Sequence, residues 1–341
     1  MATVARDGGK KFATLEDVAR EAGLSRAQVS RALRGDPKVK PQTRAHVQEV
    51  AQSLGYRPNL AARNLVSSDS KTVGLIIGEP QNPFHIQLAQ AIDRELARAG
   101  LDSIVSLRAL DDKLALSEID RMMGLRAAGI ILISKPQEPQ SILPMAKLLP
   151  CVYLGKSIRF RNVSTVDIDD AGGVTQAVEH LIALGHKRIA HIAGTTEISA
   201  KERTDAYRAA MDAAGLTPIV FAGAHNAATG RNGVDSLMNG RWKPTAIFAS
   251  NDAIALGAMD RLRGLGVRVP EDVSIIGFDD VPAAASETYS LSTVRQDTDE
   301  QARAAVAALQ SLAFDAEKRV THVVLPVKLV LRGSVLPLPH N

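Results

Sequence analysis

Apolar residues recur along this chain with two different periods, and the change of period divides it in two. Over residues 13–57 the spacing is helical. Leu15, Val18 and Ala19 share one face, Val29 and Leu33 a second, and Ala45, Val47, Val50, Ala51 and Leu54 a third. Start and stop signals agree with that division. Thr14 to Asp17 and Ser25 to Gln28 each place a hydroxyl three residues before an acid or amide, the reciprocal arrangement that satisfies orphan backbone donors at a helix start. Ala22-Gly23-Leu24 supplies a tight turn, Pro41 suits a first helical turn and Gly55 a helix end. Helices are therefore expected at about 15–22, 26–33 and 41–54, the first two forming a helix-turn-helix.

Residues 66–71 are polar and unpatterned, and beyond them the rhythm changes. Strand-like apolar runs at 73–78, 103–107, 129–134, 151–154, 164–168, 188–193, 219–222, 246–249 and 273–278 alternate with helix-like segments such as 83–99, 172–184, 200–214 and 252–265. Such alternation predicts parallel sheets with helices on both faces, and so many strands predict two lobes rather than one sheet. Ligands of such folds sit beyond the carboxyl ends of the strands, and two lobes can close on a ligand between them.

Charge changes the reading of the helical segment. Residues 1–70 hold twelve Lys/Arg against seven Asp/Glu, a net of +5, while the remainder holds 29 against 30. A basic head on a neutral body fits a partner with phosphates at one end only. If the second helix enters a DNA major groove by its N-terminal end, Arg26, Ala27 and Gln28 come near base edges and Arg31 follows one turn on. Arginine can pair with guanine, glutamine with adenine, and alanine can meet a thymine methyl. From these residues alone, solvated side chains or phosphate contacts remain the plain alternative.

The other chemistry is sparse. A single cysteine, Cys151, excludes an internal disulfide and reads as a small buried hydrophobe in a strand. No run of about 18 apolar residues suggests a membrane span, and the N-terminus lacks an apolar signal core. A cytoplasmic protein with no membrane partner is expected, with residues 1–12 disordered. His180, His186 and His191 lack metal-ligand spacing, and the adjacent Asp279 and Asp280 are expected to point apart. Asp169-Asp170 reads as a helix cap, and of Asn251 and Asp252 the latter is the preferred cap. No catalytic set emerges, so an enzyme, a metal or a cofactor is not expected.

The run from Thr14 to Ser25, then Val29-Ser-Arg-Ala-Leu, then Leu54-Gly-Tyr-Arg-Pro-Asn59, closely resembles the head of the lactose-repressor (LacI/GalR) family of bacterial transcription regulators, and the resemblance continues through almost the whole chain. It implies a helix-turn-helix domain at 13–57 with Thr14, Ser25 and Ser30 among its DNA contacts. It further implies a hinge helix and linker at 58–71, where Asn59, Ala61 and Ala62 face the minor groove and Leu65 wedges into the central base step. A six-residue helix is too short to be stable alone, which suits a switch that forms on DNA.

For 72–341 the resemblance implies a two-lobed effector-binding and dimerisation domain like the periplasmic binding proteins. The N-terminal lobe would take 72–159 and 294–321, the C-terminal lobe the rest, with a last crossover and strand at 321–333. Phe84, His85, Ser199, Arg203, Asn251, Asp279 and Gln296 match positions that line the family's effector pocket. The implied assembly is a homodimer on double-stranded operator DNA, controlled by a small effector. Arg203, Asn251 and Asp279 form a donor, donor-acceptor and acceptor set that suits a sugar or polyol. A nucleobase or nucleoside is the second choice, with Phe84 as a stacking wall. Outside the family, the competing reading is a sugar-binding module or α/β enzyme. The repressor for which the family is named has an acidic residue at the position of Gly155, followed here by Lys156, and His85 stands where small or aromatic residues are usual. A galactoside preference is therefore not implied.

Overall fold

Two capping boxes set the first two helices. The Thr14 hydroxyl accepts from the Asp17 N–H at 3.2 Å while the Asp17 carboxylate accepts from the Thr14 N–H at 2.9 Å, and Ser25 and Gln28 repeat the exchange. They open α1 (Leu15–Glu21) and α2 (Arg26–Leu33), and α3 (Pro41–Ser53) follows with proline in its first turn. Gly23, at φ +64°, makes the turn between α1 and α2. Val18, Ala19, Val29, Ala32, Val47 and Ala51 close a small core. Leu15, Leu33 and Val50 pack at its rim while Ala45 and Leu54 are exposed, and Ala32, the residue before Leu33 in α2, is fully buried instead.

The structure is a computed structural model, and it describes residues 13–57, 70–107, 112–133, 143–156, 160–194 and 198–338. The expectations for residues 1–12 and for Asn59, Ala61, Ala62 and Leu65 lie outside these residues. The chain divides into two units, 1–69 and 70–341.

The second unit holds two six-stranded sheets. The first is built from β1 (Thr72–Ile77), β2 (Asp102–Ser106), β3 (Gly129–Ile133), β4 (Cys151–Leu154), β5 (Val163–Ile168) and β11 (His322–Leu325), in the order β11-β5-β4-β3-β1-β2, all parallel. Between them run α4 (Pro83–Arg98), α5 (Asp112–Gly124) and α6 (Leu143–Leu148). The second contains β6 (Ile189–Ala193), β7 (Ile219–Ala222), β8 (Ala246–Ala249), β9 (Ser274–Asp279), β10 (Ser292–Arg295) and β12 (Lys328–Val330), in the order β12-β10-β9-β8-β6-β7, with only β12 antiparallel. Its helices are α7 (Asp170–Ala183), α8 (Ile198–Ala213), α9 (Ala227–Asn239) and α10 (Asp252–Gly264). The last helix, α11 (Thr298–Ala313), returns to pack on α4 and the first sheet. Strands β1, β3, β4, β6, β8 and β9 are buried along nearly all their length, as helices on both faces require.

The expected lobe boundaries need correction. Residues 163–168 belong to the first sheet, because β5 pairs with β4 from Val163 opposite Cys151 to Val166 opposite Leu154. The chain crosses to the second sheet only after Ile168, returns after Arg295, and crosses again between Leu325 and Lys328. The strand expected within 321–333 is two strands, one in each sheet, separated by Pro326 and Val327.

Helices α9 and α10 meet at their backbones. A Cβ on Gly230 would stand 2.0 Å from the Ile254 carbonyl oxygen, and one on Gly257 2.1 Å from that of Ala227. Neither obstacle is a flexible side chain, so the helices themselves must move. Gly257→Ala is expected to destabilise the body by about 1–3 kcal/mol, as overpacking does. Urea denaturation would show this as a lowered midpoint; an unchanged midpoint would mean that the helix pair is loosely docked.

Candidate functional site

Strand ends from both sheets contribute to one cleft. It encloses about 650 Å³ of empty space, counting its open mouth. From the first sheet come Asn82, Phe84 and His85 after β1, Gly155 and Lys156 after β4, and Asp167 and Ile168 at the end of β5. From the second come Ser199 and Arg203 on α8, His225 after β7, Asn251 after β8, Asp279 at the end of β9 and Gln296 after β10. All seven residues singled out for an effector therefore line the same space.

Arg203 is the electrostatic centre. Its Nε lies 2.6 Å from the Asp170 carboxylate, its Nη1 donates to the Ser250 carbonyl at 2.6 Å, and its guanidinium lies 3.6 Å over the Phe278 ring. Asp170, only 3% exposed, is a site residue where the sequence pattern suggests only a helix cap. Of the Asp169-Asp170 pair, Asp169 caps α7 by accepting from Gly172 N–H, and Asp170 turns into the cleft. Burial raises the Asp170 pKa above the usual carboxylate value, and Arg203 opposes that shift.

Asn251 takes the cap expected of Asp252 and lines the cleft as well, while Asp252 does neither. Asn251 caps α10, its Oδ1 accepting from the Ile254 N–H, and leaves its Nδ2 buried with no partner at the cleft. Asp252 is no cap: its carboxylate accepts from the Val281 N–H and the Thr293 hydroxyl, tying α10 to β10. Sequence alone could not separate them, because both residue types cap helices well.

Asp279 accepts from Gln296 Nε2 at 2.7 Å through Oδ1, and its Oδ2 is buried without a partner. Burial pushes its pKa up to about 7, partly opposed by Arg203 and Gln296. Both Asp279 (φ +125°) and Asp280 (φ +60°) have backbones that L-residues rarely adopt, and this reversal sends adjacent carboxylates opposite ways. Asp280 pairs with Arg295 and Arg332, away from the cleft.

Along the first-sheet wall, Phe84 is 5% exposed, and burial lowers the His85 pKa to about 4, so that ring is neutral. Its Nδ1 lies 3.2 Å from the Glu79 carbonyl oxygen. Gly155, at φ +148°, stands where a Cβ would meet the Tyr153 hydroxyl at 2.6 Å, which accounts for glycine there. Two pairs reach across the cleft: Lys156 bonds Glu202 on α8, and His225 Nδ1 lies 3.7 Å from a Glu79 carboxylate oxygen. Burial lowers the Lys156 pKa, but Glu202 outweighs it and the net shift is upward.

In the head, Arg26 and Arg31 are both exposed on α2, Arg31 Nε donating to the Ala27 carbonyl. Gln28 is less free than a base-reading side chain requires, since its Oε1 accepts from both the N–H and hydroxyl of Ser25. A bidentate adenine contact would need that oxygen released.

A family model described as "Bacterial regulatory proteins, lacI family" matches residues 14–59, and one described as "Periplasmic binding protein-like domain" matches 178–335. Catabolite control protein A of Priestia megaterium is 36% identical over 290 residues, covering 83% of this chain and 87% of that protein. The chain belongs to the LacI family. Two solved structures of the LacI family show the same architecture over nearly the full length. The lac repressor dimer bound to operator and the anti-inducer ONPF superposes with a TM-score of 0.83 at 27% identity, covering 96% of this chain and all of that one. A complex of the transcriptional regulator CelR with cellobiose gives 0.71 at 30% identity, covering 94% and 99%. This LacI-family chain is accordingly a DNA-binding transcription regulator. Among the described residues no group of three or more His, Cys, Asp or Glu could hold a metal ion, and no helix is long and apolar enough to cross a membrane.

Proposed function

We propose that this protein is a cytoplasmic repressor that binds a pseudo-palindromic operator as a homodimer and is controlled by a sugar or polyol held between the two sheets. The observation that carries the effector assignment is the pair of orphaned atoms, Asn251 Nδ2 and Asp279 Oδ2, beside Arg203. One is a donor and the other an acceptor. A hydroxyl, which both donates and accepts, meets both needs at once, and an unmet buried polar group is costly. The solved relatives bound to operator and to cellobiose support the same reading. A purine finds less here, because Arg203 already covers the Phe278 ring and leaves Phe84 as the aromatic wall.

Such a ligand works by binding the DNA-competent and released states unequally. A coupling of about 1–3 kcal/mol, roughly 5- to 150-fold in operator affinity, is typical. Residues 58–71 take the role of hinge and linker in this proposal. Leu65→Ala is expected to weaken operator binding and leave effector affinity nearly intact, since an intercalated wedge returns its unstacking cost of about a few kcal/mol only on DNA. Equal operator affinity in the variant would remove Leu65 from the DNA contact.

The deciding experiment is selection and sequencing of genomic fragments bound by the full-length protein at near-physiological salt, with and without a panel of sugars and polyols. A recurrent palindrome whose recovery changes with one of them is the expected result. Sequence-independent recovery in every condition would overturn the repressor reading.

A further inference from the structure

The charge lining the cleft is unbalanced in a specific way. Among the described lining residues four carboxylates, Glu79, Asp167, Asp170 and Asp279, face two permanent cations, Lys156 and Arg203. Both cations are already engaged by carboxylates of the fold itself. Arg203 holds Asp170 at 2.6 Å with Nε, and Nη1 is bound to the Ser250 carbonyl. Lys156 is bound by Glu202. The imidazole of His85 is neutral, and His225 faces Glu79.

Among the described residues that line this space, an entering phosphate or carboxylate meets no permanent cation that is not already paired with a carboxylate. To pair with Arg203 it must either displace Asp170, stranding a buried carboxylate, or share a guanidinium whose charge Asp170 already offsets; at Lys156 it must likewise displace Glu202 or share the ammonium with it. Either way it lies near Asp279, whose orphaned oxygen wants a donor. Hydroxyl groups face none of these conflicts. They can accept from Asn251 Nδ2 and the remaining Arg203 N–H groups and donate to Asp279 without breaking an internal pair.

We propose that the effector is an uncharged sugar or polyol, and that Asp170 and Glu202 determine this specificity by occupying the two cations that a sugar phosphate or sugar acid would need. The inference rests on the sugar-or-polyol reading but can fail separately from it. Asp170 and Glu202 need not touch the ligand; they act through Arg203 and Lys156.

The test is a thermal-shift and calorimetric titration of the full-length protein with matched probes: glucose, glucose 6-phosphate and glucuronate; ribose and ribose 5-phosphate; inositol and inositol phosphate; adenosine and its monophosphate. The neutral member of one sugar or polyol set is expected to bind at least 100-fold more tightly than its anionic counterparts. A phosphate or uronate that binds as tightly as its neutral parent overturns the charge rule and leaves the sugar reading standing. Adenosine binding without its monophosphate would support the charge rule while removing the sugar reading.

Glu202→Gln supplies the second arm. Glu202 is part-exposed and outside the cleft lining, so the change frees Lys156 without stranding a buried charge. The ratio of sugar phosphate to neutral sugar affinity is expected to rise at least tenfold, and Asp170→Asn should move it the same way. A ratio unchanged in both variants would show that the two carboxylates do not set the specificity.

Discussion

Replacing Arg203 with alanine is expected to abolish the response to the cleft ligand and to lower the stability of the body by about 3–5 kcal/mol, the cost of breaking a buried ion pair from one side. The two losses share one cause. Arg203 is 8% exposed, so the charge it gives Asp170 is barely shared with water. Without it Asp170 is a buried carboxylate with its partner gone, the Ser250 carbonyl loses its donor, and the Phe278 ring loses its cover. Asp279, 3.8 Å from the same guanidinium, would also hold its proton to higher pH. Arg203→Lys separates function from folding: one ammonium can hold Asp170 but cannot bond Asp170, Ser250 and a ligand in the geometry of a planar fork. Lysine should therefore restore most of the stability and little of the response. Urea denaturation and operator titrations with and without ligand measure both quantities. A normal response in the alanine variant would place the ligand elsewhere.

The second large effect is a dependence on pH. Burial raises Asp279 from 3.8 to about 7 and, together with the Asp279 charge, raises Asp252 well above 3.8. In both cases the folded value lies above the unfolded one, so the folded state binds more protons across the interval. The Asp279 contribution is then fully present below about pH 4 and is lost as pH rises through about 7, at up to about 1.4 kcal/mol per pH unit, and Asp252 acts in the same direction. Asp279→Asn removes one of the two. The variant should gain on the wild type as pH rises, with a larger difference in melting temperature at pH 8 than at pH 5, while losing effector affinity because Oδ2 is gone. Equal differences at the two pH values would mean that Asp279 titrates normally.

The alternation of strand and helix was legible because buried parallel strands are continuous apolar runs, and runs such as 151–154 and 246–249 coincide with β4 and β8 to the residue. What the runs do not carry is which sheet they join. Nothing in Val163–Ile168 distinguishes the last strand before a crossover from the first one after it. Strands β11 and β12 read as one strand because both are short edge strands without a continuous buried run. In the site, motif positions brought seven residues to one cleft, but their bonding was hidden. Asp169 and Asp170 are identical in type and opposite in role, and only the position of Arg203, 33 residues on, decides which one it binds. The same limit applies to Gln28, whose capping and base-reading roles draw on the same amide.

The three crossings between the sheets have a consequence for how the chain is made. The head completes its core by Tyr56 from contacts within about forty residues of sequence. Neither lobe can do so: the first sheet waits for His322–Leu325 and the second for Lys328–Val330, both more than 260 residues beyond Tyr56. A chain emerging from the ribosome thus carries its DNA-reading head long before either ligand-binding sheet has its last strand. Contacts this distant in sequence form slowly, and translation proceeds at about 5–20 residues per second. The order of synthesis leaves a reader without its regulator for most of the protein's assembly.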